Sequence, residues 1–139
     1  MTIEPYLFFD GRAEEAIEFY KSALGAKVVA IMRYKENPQP QQNPPGSDEK
    51  EMHSLLRFGA SGMMISDGKC GGHPAFQGFA LTLQASDEAD AKRRFEALAK
   101  GGQVQMPLGE TFFARSFGMV ADQFGVLWMV IAETKEPGK

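Results

Sequence analysis

The histidine at position 53 and an arginine close to it are the first side chains in this sequence that could carry chemistry. His53 opens a segment whose alternation places it on the same side of a strand as Leu55 and Arg57. If that side lines a cavity, the imidazole and the guanidinium could bind an anion or move a proton. The competing interpretation is an edge histidine near solvent.

Two charged residues flank a phenylalanine pair further along the chain. Glu110 lies at the mouth of a predicted hairpin, where it could reach a ligand as a general base or remain a solvated turn residue. Arg115 shares a strand face with Phe113 and Phe117, so it either reaches solvent beside them or presents a charge to an acidic ligand. A buried arginine would need a partner.

Other polar residues indicate structure rather than catalysis. Asp10, Asp67 and Asp122 lie at predicted turns, where aspartate commonly bonds the nearby backbone. Cys70 and His73 form one Cys-x-x-His in a glycine-rich linker, and a metal site would need a second pair. The sequence contains no Ser-His-Asp order, phosphate loop or dinucleotide fingerprint.

Composition limits the class of protein and its partners. The chain has 139 residues, 43% of them apolar, a net charge of -3 and a single cysteine. These values predict a small soluble domain in a reducing compartment, the cytoplasm, with neither nucleic acid nor a membrane as partner. No segment approaches the roughly 20 apolar residues of a membrane span.

Hydrophobic periodicity predicts two helices and eight strands. The helices cover about 12–24 and 87–100, with Ser86 as the N-cap of the second and Gly25 ending the first. Strands are predicted at 3–9, 27–34, 52–58, 62–66, 79–84, 104–108, 112–121 and 126–131. The segment 35–51 contains four prolines, which exclude a helix or a central strand, so it is either a solvated loop or a lid.

The element order strand, helix and three strands occurs twice. An offset of 75 residues places Ala16 on Ala91 and Tyr20 on Phe95. A repeated unit of this kind indicates an architecture of two modules, because one module alone has too little sheet to bury its helix.

Three stretches carry a resemblance to a known family: PYLFFDGRAEEAIEFYKSALGA at 5–26, MMISDG at 63–68 and ETFFARSFGMVADQFGVLWMV at 110–130. With the element order, they resemble the PhnB-like branch of the vicinal oxygen chelate superfamily, which includes glyoxalase I and bleomycin-binding proteins. The resemblance implies an α+β fold of two βαβββ modules, about 1–70 and 76–133. These modules would form a curved eight-stranded mixed sheet with the helices on its convex face.

Active members of that superfamily hold a divalent metal with His and Glu side chains from the first and last strands of each module. The corresponding positions here carry side chains that are poor ligands for a hard cation: Pro5, Ile65 or Ser66, Phe79 and Met129. Shifting the comparison by one residue brings in Tyr6, Ala80 or Trp128 and supplies no better set. The sequence therefore predicts neither metal nor cofactor.

The resulting hypothesis is a metal-independent protein, homodimeric and cytoplasmic, that binds an apolar or aromatic small molecule in the cup of its sheet. The predicted ligand-binding residues are Tyr6, Arg57, Phe79, Arg115, Trp128 and Met129. One alternative is a glyoxalase-like lyase or isomerase with a divalent metal. Another is a metal-free enzyme with His53 or Glu110 as its base.

Overall fold

The computed structural model of the chain describes residues 1–68 and 74–135. The chain forms two compact units, Met1–Pro74 and Ala75–Lys139. Each unit contains one long helix and a four-stranded mixed sheet.

The first unit runs strand, helix and three strands. Its elements are β1 (Tyr6–Phe8), α1 (Ala13–Leu24), β2 (Lys27–Arg33), β3 (Glu51–Phe58) and β4 (Ser61–Ser66). The strand order is β1-β4-β3-β2, with β1 parallel to β4 and the other pairs antiparallel. The parallel pairing of β1 with β4 brings the first and last strands of the unit side by side.

The second unit repeats this arrangement. Its elements are β5 (Leu81–Gln84), α2 (Glu88–Ala99), β6 (Gln103–Gly109), β7 (Ala114–Ala121) and β8 (Leu127–Thr134). The strand order β5-β8-β7-β6 is that of the first sheet, and β5 is likewise parallel to β8. The predicted α+β fold of two βαβββ modules is confirmed, with its eight strands in two four-stranded sheets.

Both helices present the predicted apolar stripe to a sheet. Ala16 and Tyr20 on α1 are fully buried. Of their counterparts on α2, Ala91 is fully buried and Phe95 is 7% exposed. Gly25 ends α1 in the left-handed conformation, with φ 68° and its N–H donating to a carbonyl of the last turn. Glycine adopts this conformation at little cost because it has no Cβ.

The N-cap of α2 is Asp87 rather than the predicted Ser86. The Asp87 carboxylate accepts from the N–H of Asp90 at 2.7 Å, and the Asp90 carboxylate accepts from the N–H of Ser86 at 3.1 Å. A carboxylate at the cap also interacts favourably with the positive end of the helix, whereas a neutral hydroxyl interacts with it more weakly. The prediction was therefore wrong by one residue.

Three strands begin or end at residues other than the predicted ones, because strand pairing and turns in the structure set their ends. The first strand begins at Tyr6 because β1 pairs only with the last three residues of β4, and Ile3 is 90% exposed. The seventh begins at Ala114, since the Thr111 hydroxyl accepts from the N–H groups of Phe113 and Ala114 and forms a turn. The last strand extends to Thr134, which pairs with Ala114.

The proline-rich segment is anchored to the first unit. It contains no α-helix, as predicted, but it has two single turns of 3-10 helix, Tyr34–Glu36 and Pro40–Gln42. Such short turns tolerate proline at their first position. Tyr34 is buried and its hydroxyl donates to the carbonyl of Gly68, while Ser47 is fully buried and donates to the carbonyl of Pro44 at 2.6 Å.

Candidate functional site

One face of the first sheet is covered by α1 and the other is open. The covered face carries buried residues such as Leu7, Leu56 and Ile65. Alternation places a second set on the opposite face: Tyr6, Phe8, His53, Leu55 and Met64. Tyr6 pairs with Met64, which pairs with Leu55, so these side chains lie side by side across three strands. We call this set the open face of the first unit.

Aromatic rings and the histidine form the centre of this open face. The rings of Tyr6 and Phe8 stack with centroids 4.9 Å apart and planes 11° from parallel. The two side chains are 38% and 50% exposed. Aromatic rings presented together in this way are available to a ligand ring.

The Tyr6 hydroxyl and the His53 ring are hydrogen-bonded, with Oη and Nδ1 2.8 Å apart. Burial raises the pKa of Tyr6, so its hydroxyl keeps its proton and can donate to the imidazole. In a neutral imidazole that accepts at Nδ1, the proton is on Nε2. In that tautomer, the pair presents a hydrogen-bond donor beside two exposed rings. The sequence prediction included Tyr6 and His53 but did not link them, because they are 47 residues apart.

Charged groups lie at one end of the same sheet. Arg57 is exposed on β3 and pairs with Gly62 of β4. The Glu4 carboxylate lies over Gly62, where an added Cβ would be 3.2 Å from its Oε1. Glu4 and Phe8 are residues that the sequence prediction missed, although the alternation of Tyr6 and Phe8 on β1 could have indicated the latter.

In the second unit, two predicted ligand-binding residues lie on opposite faces of β8. Met129 pairs with Met119 and Thr82 on the face away from α2. Trp128 is 5% exposed on the helix-covered face, and its indole Nε1 donates to the Asp122 carboxylate at 2.9 Å. Successive strand residues alternate between faces, so both cannot line one surface.

The remaining predicted residues lie at or near the ends of strands. Phe79 precedes β5 and is 45% exposed. Glu110 is exposed and accepts from Lys135 Nζ at 2.6 Å, and this bond holds the pKa of Glu110 below its usual range. A carboxylate with a lowered pKa is a weak general base. Arg115 lines a groove beside α2.

Asp67 bonds distant backbone, contrary to its predicted local role. It is 1% exposed and accepts from the N–H groups of Gly11, Ala13 and Glu51, each at 2.8 Å. It thereby fixes the start of α1 to the start of β3. Asp122 confirms the local prediction, because it accepts from the N–H groups of Phe124 and Val126.

The donor set does not fit the divalent metal that the superfamily resemblance implies. Within residues 1–68 and 74–135, no three His, Cys, Asp or Glu side chains converge as a metal would require. The Tyr6–His53 pair offers one phenol and one imidazole, whereas a catalytic zinc site uses about three protein ligands. Cys70 and His73 lie outside the described residues. Among the described helices, none has the length and apolar character needed to span a bilayer.

Comparisons with known proteins agree with this architecture. The family model of the Glyoxalase/Bleomycin resistance protein/Dioxygenase superfamily matches residues 2–130. Protein YjdN of Escherichia coli is 34% identical over 99% of this chain and 99% of its own. The crystal structure of protein PA1353 from Pseudomonas aeruginosa is 40% identical, with a TM-score of 0.85 over 96% of this chain and 98% of its own.

A second solved structure narrows the branch. It is the PhnB protein from Bacillus cereus, whose name also suggests a 3-demethylubiquinone-9 3-methyltransferase. It is 29% identical, with a TM-score of 0.79 over 95% of this chain and 99% of its own. The chain belongs to the Glyoxalase/Bleomycin resistance protein/Dioxygenase superfamily, as a PhnB-like member of the vicinal oxygen chelate fold.

Proposed function

We propose that this protein binds a small planar aromatic molecule, without a metal, on the open face of the first unit. One observation carries the proposal: the exposed stack of Tyr6 and Phe8 lies beside a hydrogen bond between Tyr6 and His53. Stacked rings provide apolar contact area with a preferred geometry, and the imidazole Nε2 provides one directional donor. The ligand is therefore aromatic with a hydrogen-bond acceptor such as a carbonyl.

Neighbouring side chains make this face adaptable. Leu55 and Met64 are partly exposed next to Tyr6, and methionine adjusts its shape to irregular ligands. Arg57, on the same side of β3 as His53, would attract an anionic substituent. Met129 and Met119 give the open face of the second unit an apolar surface. On the same face of β7, the ring of Phe117 meets that of Phe113 edge to face, with centroids 5.0 Å apart, but Phe117 is only 7% exposed and so offers little area to a ligand.

Metal independence is part of the proposal and depends on the available donors. A divalent cation placed against Leu55, Met64 and Phe8 would lose hydration that one imidazole and one phenol cannot replace. A metal-free enzyme is the second candidate function. For it, His53 would be the base in the tautomer whose Nδ1–H donates to the Tyr6 oxygen, which leaves the Nε2 lone pair free, whereas Glu110 is already engaged by Lys135.

Two compounds of similar size test the proposed ligand class: coumarin, which carries a carbonyl, and naphthalene, which does not. We expect Tyr6→Ala to weaken both, because both lose ring contact. His53→Ala should weaken coumarin alone, by about five-fold, the effect of one hydrogen bond. Phe112→Ala is the control, since this ring is 91% exposed in the second unit. Binding that is absent for both compounds, or equally reduced by Phe112→Ala, would contradict the proposal.

We also propose a cytoplasmic homodimer. Apolar side chains on edge strand β2 support association, because Val29, Ile31 and Met32 are between 39% and 52% exposed. The lone Cys70 excludes an intrachain disulfide and suits a reducing compartment. Light scattering at micromolar concentration should give twice the 15.3 kDa mass of one chain, and a monomer mass would refute the dimer.

A further inference from the structure

Two cations oppose each other at one end of the first sheet. Lys27 on edge strand β2 and Arg57 on β3 are direct cross-strand partners, and both side chains are exposed. Direct partners point to the same face of a sheet, and Leu56, next to Arg57, is buried on the covered face, so both cations lie on the open face. Like charges placed opposite each other destabilise a strand pair. The sheet therefore carries an electrostatic cost here that a bound anion would remove.

The chain itself does not neutralise these cations. Among residues 1–68 and 74–135, neither Lys27 nor Arg57 forms a salt bridge. Glu4 shares this end of the sheet, with its carboxylate over Gly62, the partner of Arg57 on β4, but within the same residues it too forms no ion pair. Two cations and one carboxylate leave a net positive charge at this end, which attracts a singly charged anion.

An apolar strip joins the cations to the stacked aromatic rings. Leu55 lies two residues from Arg57 on the same face of β3, and it pairs with Met64, which pairs with Tyr6. Neighbouring strands are about 4.8 Å apart, and alternate residues of one strand are about 7 Å apart. The backbones of Tyr6 and Arg57 are therefore about 12 Å apart by these spacings, and both long side chains shorten the gap between ring and guanidinium. One small ligand can contact both groups.

A carboxylate suits this pair of cations better than other anions. The planar guanidinium of Arg57 can donate two parallel hydrogen bonds to a carboxylate, and the Lys27 ammonium adds a point charge beside it. A phosphate monoester carries a second negative charge, which the nearby Glu4 carboxylate would repel. The charges at this end of the sheet therefore favour a monocarboxylate.

We propose that the ligand of this open face is an aromatic monocarboxylate with two fused rings. The rings extend from Tyr6 over Met64 and Leu55, and the carboxylate lies between Arg57 and Lys27. The imidazole of His53 stays available to a polar group at the other end of the rings. This inference rests on the proposed function, because it takes the aromatic site as given and assigns the charge and size of its ligand.

Amide NMR titrations of the isotope-labelled protein with 2-naphthoate and with its neutral amide, 2-naphthamide, test the charge of the ligand. We expect both to shift the amides of Leu55 and Met64, and naphthoate to bind about five-fold more tightly, as for one exposed ion pair. Arg57→Gln and Lys27→Gln should each lower this affinity ratio by about two-fold. Glu4→Gln should raise it by about two-fold, because a repelling charge is removed.

The matched control is Lys100→Gln, which removes the same charge from the exposed end of α2 and should leave the ratio unchanged. The inference is overturned, and the proposed function stands, if Tyr6→Ala weakens naphthamide but naphthoate binds no more tightly than naphthamide. A ratio that Arg57→Gln and Lys27→Gln leave unchanged overturns it equally. If neither compound binds, or if Tyr6→Ala affects neither, the proposed function fails and this inference with it. The charged side chains replaced are exposed, so each variant should keep the dispersed spectrum of the folded protein.

Discussion

Arg33 Nη1 lies 3.6 Å from Glu51 Oε1, too far for a hydrogen bond, although the two residues are direct partners on β2 and β3. The guanidinium instead donates to the carbonyl of Glu49 at 2.6 Å and to the Glu14 carboxylate at 3.0 Å. Glu51 is 1% exposed, and neither of its side-chain oxygens has a hydrogen-bond partner within residues 1–68 and 74–135. A buried carboxylate of this kind is costly when charged.

This arrangement predicts a pH-dependent stability. Burial raises the pKa of Glu51 above its usual value of 4.5, with Glu14 and Asp67 acting in the same direction and Arg33 against it. Because the pKa is raised in the folded state, protonated Glu51 contributes its full stability below pH 4.5. This contribution is lost as the pH rises through the pKa that Glu51 has in the folded protein. Glu51→Gln should therefore gain stability over the natural protein as pH rises.

Denaturant unfolding at several pH values between 4 and 8 measures this difference. The control is Glu49→Gln, whose carboxylate is 75% exposed and should give a nearly constant difference. If the difference in unfolding free energy between Glu51→Gln and the natural protein stays constant or shrinks as the pH rises, Glu51 is stabilised as an anion and the prediction is wrong.

Replacement of Asp67 by asparagine should destabilise the first unit by about 3 kcal/mol. The amide group would put a donor where the carboxylate now accepts from the N–H groups of Gly11, Ala13 or Glu51. The control Asp48→Asn makes the same charge change at an exposed position and should cost less than about 0.5 kcal/mol. Equal losses for the two variants in urea unfolding would contradict this role.

Two glycines of the second unit should respond differently to alanine. At Gly102 an added Cβ would lie 2.2 Å from the carbonyl oxygen of Ala121, so the backbone after α2 would have to move. We expect a loss of about 2 kcal/mol on thermal or urea unfolding. Gly109→Ala is the matched control, since its Cβ would meet nothing within 4 Å, and it should be close to neutral. A neutral Gly102→Ala would disprove the predicted clash.

Removal of divalent metals should leave ligand binding unchanged. Protein incubated with nickel, zinc, iron or manganese and then desalted should retain far less than one metal per chain, because no three His, Cys, Asp or Glu side chains converge within residues 1–68 and 74–135. Coumarin affinity should be the same with and without EDTA, and glyoxalase activity should be absent. One metal per chain, lost on chelation together with activity, would contradict metal independence.

Local patterns in the sequence determined the elements and their repetition. The apolar spacing from Ala13 to Leu24 and the glycine at 25 were enough to predict α1 and its end, and an offset of 75 residues identified the buried pair Ala91 and Phe95. These features depend on residues within a few turns of one another, so a linear pattern contains them. The missed cap at Asp87 is an error of a single position within such a pattern.

Tertiary structure alone decided which faces are covered and which distant groups meet. Alternation separates Trp128 from Met129 but does not say which of them α2 covers. The Asp67 carboxylate accepts from the N–H of Ala13, which is 54 residues away, and Tyr6 is hydrogen-bonded to His53, which is 47 residues away. Such contacts depend on strand pairing and register, because these bring together residues whose neighbours in sequence give no sign of the partner.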